Sequence, residues 1–470
     1  MEIKETETEF KTKPPRMLLQ PREKPKSIYQ WIALSFQHVF AMFGANVLVP
    51  IVINQMAETE VINMSMALFC SGIGTLVYIA LTSAKVPIYL GSSFAYMTVI
   101  GMGYGDWGNA TFIAIFLVGC VYILTGLLIH FTSNKWLVKI FSPIVVGPII
   151  MIIGLSAIPS ALKNIWILPQ DPAPGYPQWL AILVAVLVIL VAVILMLKAK
   201  SFIRVLPILS ALVFGYVLCV IIQLADSNIQ LMDFNKITNV NKWEWHPNFK
   251  NIFDVNKENV APAVVAIVPI ALVTMVEHYG DHVNLGNMTN KNFIKDPGIG
   301  RTLFADGVSI SLSGLIGGPA NTTYAENTSV VGITKVASVW VTGLAACFAV
   351  MMSFIAPVNQ LISMIPNPVL GGISLMLFGI IATNGVRIML DAKVNLENGK
   401  NLIIIGITLG LGLGISLYTA STNTQIKIND FELTGLFIAT VVGGGLNLIL
   451  PDQHNLGLFK IKKRNKRQSN

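Results

Sequence analysis

Apolar stretches long enough to cross a bilayer recur along this 470-residue chain, separated by short polar or Gly- and Pro-rich joints. A spanning helix needs about 20 mostly apolar residues, and the pattern predicts fourteen such segments. They centre near Phe43, Thr75, Thr98, Cys120, Ile149, Val188, Phe214, Ile270, Ser311, Val331, Phe348, Phe378, Leu411 and Val441. The segments near Thr98 and Val331 are short and polar, and the one near Ser311 is only weakly hydrophobic. The expected fold class is an all-α polytopic membrane protein with fourteen transmembrane segments.

Composition agrees with the pattern. The chain is 54% hydrophobic and 12% charged, against about 25% charged residues in a soluble domain. One large soluble core is excluded, because cores stop growing near about 250–300 residues. The first 27 residues are polar, of mixed charge and proline-containing, and read as a disordered cytoplasmic tail without a cleavable signal. Cys70, Cys120, Cys219 and Cys347 stand apart, each in an apolar run, which argues against disulfides and a zinc cluster.

The net charge of +8 lies on loops and tails, as the positive-inside rule requires, and does not indicate nucleic acid. With both termini cytoplasmic, the predicted inner loops hold Lys85, Lys135, Lys139, Lys198, Lys200, Arg204, Lys291, Lys295, Arg301, Lys335, Arg387, Lys393 and Lys400. One outer loop, 226–258, breaks the pattern with Lys236, Lys242, Lys250 and Lys257. Within it, KWEWHPNF reads as an interfacial aromatic segment.

The stretch SSFAYMTVI from Ser92 is echoed by TTYAENTSV from Thr322. Each pairs two hydroxyl residues with an aromatic and an alanine, and each lies in the third segment of a seven-segment half. Seven is odd, so the halves run in opposite orientation. The expectation is a 7+7 inverted repeat, a hallmark of secondary transporters with discontinuous helices near the midplane. YLGSSFAY and GGPANTTYAEN start helices badly, and each predicts a short extended piece before a short helix, in spans 3 and 10. Irregular backbone at membrane depth must be buried in protein or line a cavity. The N–H groups at the start of the following helix are then available to a ligand.

ALVTMVEHYGDHVNLGN carries Glu277, His278, Asp281 and His282 at the end of an apolar run. Glu277 and Asp281 share one helix face, and the two histidines an adjacent one. Ionisable groups inside spans mark substrate or ion pathways, a reading that suits Glu277, whereas His282 is expected at the solvated cytoplasmic interface. Zinc is disfavoured, because the glutamate precedes the first histidine instead of following it. Neither a metal nor a cofactor is expected. Glu326 is a second intramembrane carboxylate, with capping of its short helix as the alternative role. Phe94 and Tyr324 occupy matching repeat positions. Each alone reads as packing; facing each other across a pseudo-two-fold site they would hold a flat ring. Whether Gln37 and His38 contact that site is left open by the sequence.

The pieces QHVFAMFGANVLVP, YLGSSFAY, EHYGDHV, DPGIGRTLFADG, GGPANTTYAENTSVVGITKVAS and PNPVLGGISLMLFGI occur in order along nearly the whole chain. In them the chain resembles the nucleobase/ascorbate transporter family, most closely its uracil-carrying bacterial members. The resemblance implies a core domain of spans 1–4 and 8–11 (residues 28–137 and 259–358) and a gate domain of the other six (138–258 and 359–455). Cytoplasmic tails at 1–27 and 456–470 flank them. It further implies proton-coupled uracil import across the plasma membrane by a homodimer that is not an enzyme, with uracil, protons and the lipid bilayer as partners.

Carried onto this chain, the resemblance makes Glu277 and Glu326 the carboxylates that hold the pyrimidine. Phe94, acting mainly through its backbone, and Tyr324 stand beside the ring. Ala325 offers its N–H where uracil carriers have glycine. Phe378 stands where some members have tyrosine. Asp281 replaces a histidine linked to the first glutamate, and with Glu277 it forms the expected proton-coupling pair. Ser329 replaces a glycine of the family motif, while Thr334 and Lys335 match its end. The alternatives are a purine or xanthine permease of the same family and an anion transporter sharing the fold. Two carboxylates argue against an anion as cargo. A membrane-embedded hydrolase lacks a nucleophile or metal set.

Overall fold

A computed structural model describes residues 17–132, 142–169, 175–199, 206–226, 228–234, 245–422, 426–428 and 431–450. Both tail ends, part of KWEWHPNF, and the loop charges Lys135, Lys139, Lys200, Arg204, Lys236 and Lys242 lie outside the described residues.

The chain is mostly helical. The first part holds α1 (Ile28–Met56), α2 (Met64–Leu81), β1 (Leu90–Ser92), α3 (Met97–Trp107), α4 (Ala110–Phe131), α5 (Pro143–Asn164), α6 (Gln178–Lys198) and α7 (Pro207–Ala225). The second holds α8 (Lys257–Ile267), α9 (Ile270–Thr289), α10 (Ile299–Leu315), β2 (Asn321–Thr323), α11 (Ala325–Thr334), α12 (Val339–Ser353), α13 (Ala356–Ser363), α14 (Asn367–Asp391), α15 (Gly399–Thr422) and α16 (Gly435–Ile449). A hairpin of β3 (Ile426–Ile428) and β4 (Phe431–Leu433) joins the last two helices. Among the described residues, nine helical stretches are long and apolar enough to cross a membrane, with α8 and α9 counted as one. The number is ten if α12 and α13, bent by 82° at their junction, form one further span.

Five of the fourteen predicted segments, near Thr98, Ser311, Val331, Phe348 and Val441, fall on helices α3, α10, α11, α12 and α16, which have 17 residues or fewer. The segments near Thr98 and Val331 are not continuous helices. Each is a three-residue strand followed by a helix of 11 or 10 residues. The Gly-, Pro- and hydroxyl-rich lead-ins do produce extended pieces, and these pieces pair with each other. β1 and β2 run antiparallel, with Leu90 opposite Thr323, Gly91 opposite Thr322 and Ser92 opposite Asn321. All six residues are buried, as backbone without helical hydrogen bonds must be at this depth.

Side chains of neighbouring helices complete the hydrogen bonding of the strands. Thr75 Oγ1 accepts from Leu90 N–H at 2.9 Å, and Ser71 Oγ donates to Leu90 O at 2.7 Å. Asn46 Oδ1 on α1 accepts from both Ser92 N–H and Ser92 Oγ at 2.8 Å. Asn321 Nδ2 donates to Cys70 O at 3.1 Å and Ser309 Oγ at 3.0 Å.

Around this crossing, α4 packs along α10, and α2 lies against both α10 and α12. Separately, α5 packs along α14 and α6 against α7 and α14. Small residues permit the closest approach: a Cβ on Gly126 of α4 would sit 2.5 Å from Gly300 O on α10. Such small-residue seams are typical where lipid supplies no hydrophobic drive between helices.

Candidate functional site

The antiparallel strands lead into two short helices that run in opposite directions, and α9 packs against β2, α11 and the turn before α3. Tyr324 precedes α11 and is only 2% exposed. Its ring lies over Gly91, where an added Cβ would come within 2.5 Å of Tyr324 Cζ. Its hydroxyl donates to Ser92 O at 2.8 Å. Tyr324 therefore fastens one arm to the other, and Gly91 makes room for it. On the opposite arm, Phe94 is partly buried in the core at the start of the turn leading into α3.

Tyr324, at the N-cap of α11, makes no side-chain cap bond, and within the first turn the Glu326 carboxylate lies against its own backbone N–H. Glu326 lies in that turn, partly exposed, with Ala325 and Ser329 exposed beside it. On α9, Glu277, Gly280, Asn284 and Asn287 form an exposed stripe at helical spacing, with Asp281 partly exposed at its edge. Glu277 is surrounded by protein atoms yet keeps open surface of its own, and it lies within electrostatic reach of Glu326. Thr323 donates its hydroxyl to the Asp281 carboxylate, tying α9 to β2.

The structure thus brings Glu277, Asp281, Ala325 and Glu326 together, with Tyr324 as the fastening behind them. Phe378 is fully buried on α14, and its carbonyl faces the position of Gly154 on α5. The helix of the first arm faces other elements. Val99, Ile100, Gly101, Gly103 and Trp107 of α3 are buried, and a cavity of about 40 Å³ lies between α3 and the facing ends of α15 and α16.

One expectation is corrected. His282 does not reach the solvated interface; it is fully buried. Its Nδ1–H donates to His278 O at 2.7 Å, so its Nε2 accepts from the Tyr78 hydroxyl at 2.6 Å. A partner on α2 holds it inside. His278 is buried too, stacked on His282 at 4.1 Å and bonded to Asp306 at 2.8 Å and Thr302 at 3.0 Å. His38 contacts the site from behind, with Asn327 Nδ2 donating to His38 O at 3.0 Å.

Asp306 and Asn46 were not singled out from the sequence. Asp306 carried the relevant signal, an ionisable residue in an apolar run. Asn46 is uncharged and gave none.

Comparison with known proteins fits this architecture. The sequence pattern of a family described as Permease family matches residues 29–421. The uracil permease of Bacillus caldolyticus is 36% identical over 437 residues, covering 92% of this chain and 95% of that protein. The uracil permease of Escherichia coli (strain K12) is 34% identical over 434 residues, covering 91% and 92%. Among solved structures, the transmembrane domain of the cyanobacterial bicarbonate transporter BicA superposes with a TM-score of 0.60 at 16% identity, covering 84% of this chain and 99% of that one. Murine Slc26a9, an anion transporter in the inward-facing state, gives 0.62 at 12% identity, covering 91% and 68%. At such identities the likeness is one of fold alone. Sequence relatives and apolar helices together make this a multi-pass membrane protein.

Proposed function

The chain belongs to the permease family, and we propose that it is a uracil permease that imports its substrate with protons by alternating access. The carrying observation is the pair Glu277 and Glu326, set within electrostatic reach of each other on a continuous and a broken helix. Uracil is flat and neutral, and alternates N–H donors with carbonyl acceptors. A carboxylate accepts from its N–H groups, and amides at the start of α11 serve its carbonyls. Sites that pair polar groups in this way reject analogues that leave a partner unmatched. In this reading Glu326 and the Ala325 amide bind the base, with Phe94, Tyr324 and Phe378 as its apolar surroundings. Glu277, with Asp281 beside it, takes up the transported proton. Like charges at close range favour a proton held between them.

The strand pairing supports the seven-plus-seven inverted repeat. Thr322 lies 230 positions after Ser92, and the same shift carries Gly91 onto Asn321. The pair Gly91–Thr322 is thereby exchanged with the pair Asn321–Ser92, and both are rungs of the ladder. The crossing is its own image under the repeat. The two packing groups, α1–α4 with α8–α12 and α5–α7 with α14–α16, correspond to the core and gate domains of this reading. A site open beside α9 and α11 and closed beside α3 is one of two alternating states. The open side is that of the N-terminal segment, which this reading places in the cytoplasm of a homodimer. The test is uptake of labelled uracil into vesicles, with and without a proton gradient, in competition with xanthine. Uptake indifferent to the gradient removes the coupling, and stronger competition by xanthine than by unlabelled uracil favours a purine permease.

A further inference from the structure

Two short non-helical segments grip the far ends of the two broken helices. The first is residues 17–26. Leu18 and Leu19 N–H donate to Lys335 O at 2.8 and 3.4 Å, where α11 ends in a left-handed turn. Ala337 N–H donates to Leu19 O at 3.0 Å, and Val339 N–H to Pro21 O at 2.8 Å. Arg22 reaches Ser83 O at 3.0 Å, and Ser338 Oγ donates to Glu23 O at 2.5 Å. Met17 packs beneath a buried cluster that joins Leu285 of α9 to Val331 of α11. Although the sequence places these residues in a disordered tail, they form a strap across the end of α11, with Met17 against the cluster that includes Leu285 of α9.

The second segment, 245–256, is on the other face. Lys250 Nζ donates to Val61 O at 2.6 Å and Glu60 O at 3.3 Å, and lies 5.6 Å from the ring centre of Tyr104 on α3. Asn109 Nδ2, just past α3, donates to Asp254 O at 3.3 Å, and Asn259 Nδ2 donates to Asp106 O, at the end of α3, at 2.7 Å. This explains one lysine that breaks the loop-charge pattern: Lys250 is a structural peg. The shift of 230 positions that relates the halves carries Gln20 onto Lys250. The first strap precedes α1 and grips α11 of the second half; the other precedes α8 and grips α3 of the first.

We propose that the straps are positioning elements for the substrate site, each fixing the broken helix of the opposite repeat. The strap at 17–26 holds Glu326 at its working distance from Glu277. Carbonyls at a helix end lack intrahelical partners, so the strap amides decide where α11 stops and how firmly it is seated. This inference rests on the uracil reading for its ligand, and its test has one arm that needs none.

In the full-length protein, Leu18→Pro removes the N–H that Lys335 accepts. Leu18→Ala controls for the side chain, which is 71% exposed. Leu18→Pro is expected to weaken uracil binding about five- to tenfold, the effect of one lost hydrogen bond, while Leu18→Ala binds as wild type. Hydrogen exchange in the absence of uracil should quicken across Ala325–Thr334 and stay unchanged in α14, which the strap does not touch. Ser338→Ala is the milder second variant should Leu18→Pro fail to fold, with the same local exchange expected. Unchanged affinity in Leu18→Pro, or exchange quickened equally throughout the molecule, overturns the proposal in favour of a tether that only stabilises. Failure of the wild type to bind uracil overturns the substrate instead, and the exchange arm then decides on the strap.

Discussion

The two broken helices share a plan and differ in chemistry. In one arm Phe94, Ala95 and Tyr96 lead into α3; in the other Tyr324, Ala325 and Glu326 lead into α11. Tyr96 is buried, with its hydroxyl 3.0 Å from Thr274 Oγ1 on α9. Glu326, its repeat equivalent, is partly open to solvent. The first arm spends its polar atom on bracing α9, whereas in the proposed function the second keeps a carboxylate for the ligand. On the proposed inverted repeat, a symmetric scaffold is divided at single positions, with bracing in one arm and binding in the other.

Substitutions at equivalent positions test that division. The largest effect is expected at Glu326. Glu326→Ala should lower uracil affinity on the order of 10³-fold, since a ligand donor loses its partner in a site built to pair it. Glu326→Gln should also bind poorly, because an amide offers one acceptor oxygen where the carboxylate offers two. Calorimetry on folded protein checks this, and near-normal binding by Glu326→Gln would remove the binding role from this arm.

Glu277→Gln comes next, with an effect on uptake and not on binding. It imitates the protonated acid, so it should hold uracil yet fail to concentrate it in response to a proton gradient. Gradient-driven accumulation by this variant would send the proton elsewhere. Gly91→Ala probes the crossing itself: its new methyl meets the Tyr324 ring and should cost about 1–3 kcal/mol of stability through overpacking, read as a lower melting temperature with or without uracil. The smallest effect belongs to Tyr96→Phe, at most about 1 kcal/mol of stability for a lost hydrogen bond, with uracil affinity unchanged. A large loss of affinity there would make the bracing arm a binding arm.

Much of this was legible in the sequence because it depends on local chemistry. A carboxylate within a membrane-spanning segment is costly wherever it sits, so Glu277 and Glu326 stand out without any contact being known. Clusters of Gly, Pro and hydroxyl residues likewise forecast β1 and β2. What was hidden depends on partners distant along the chain. Burial of His282 requires Tyr78, 204 positions away. The fastening role of Tyr324 requires Gly91, and the docking of Leu18 requires Lys335. Asn46 offers no charge to betray it, and its importance lies in where the fold places Ser92. The long-range pairings that turn a tail into a strap and a flat aromatic into a clasp have no local signature.

The strand pair at the centre also bears on biosynthesis. A ribosome delivers β1 to the membrane about 230 residues before β2 exists to pair with it, and unpaired backbone is costly in lipid. Until then Asn46, Ser71 and Thr75, all from the first half, are the early partners that can shelter Leu90 and Ser92. The newborn first half thus carries its own temporary scaffolding. The proposed binding site is completed last, when Tyr324 packs over Gly91, and a half-molecule made alone holds a strand without its mate.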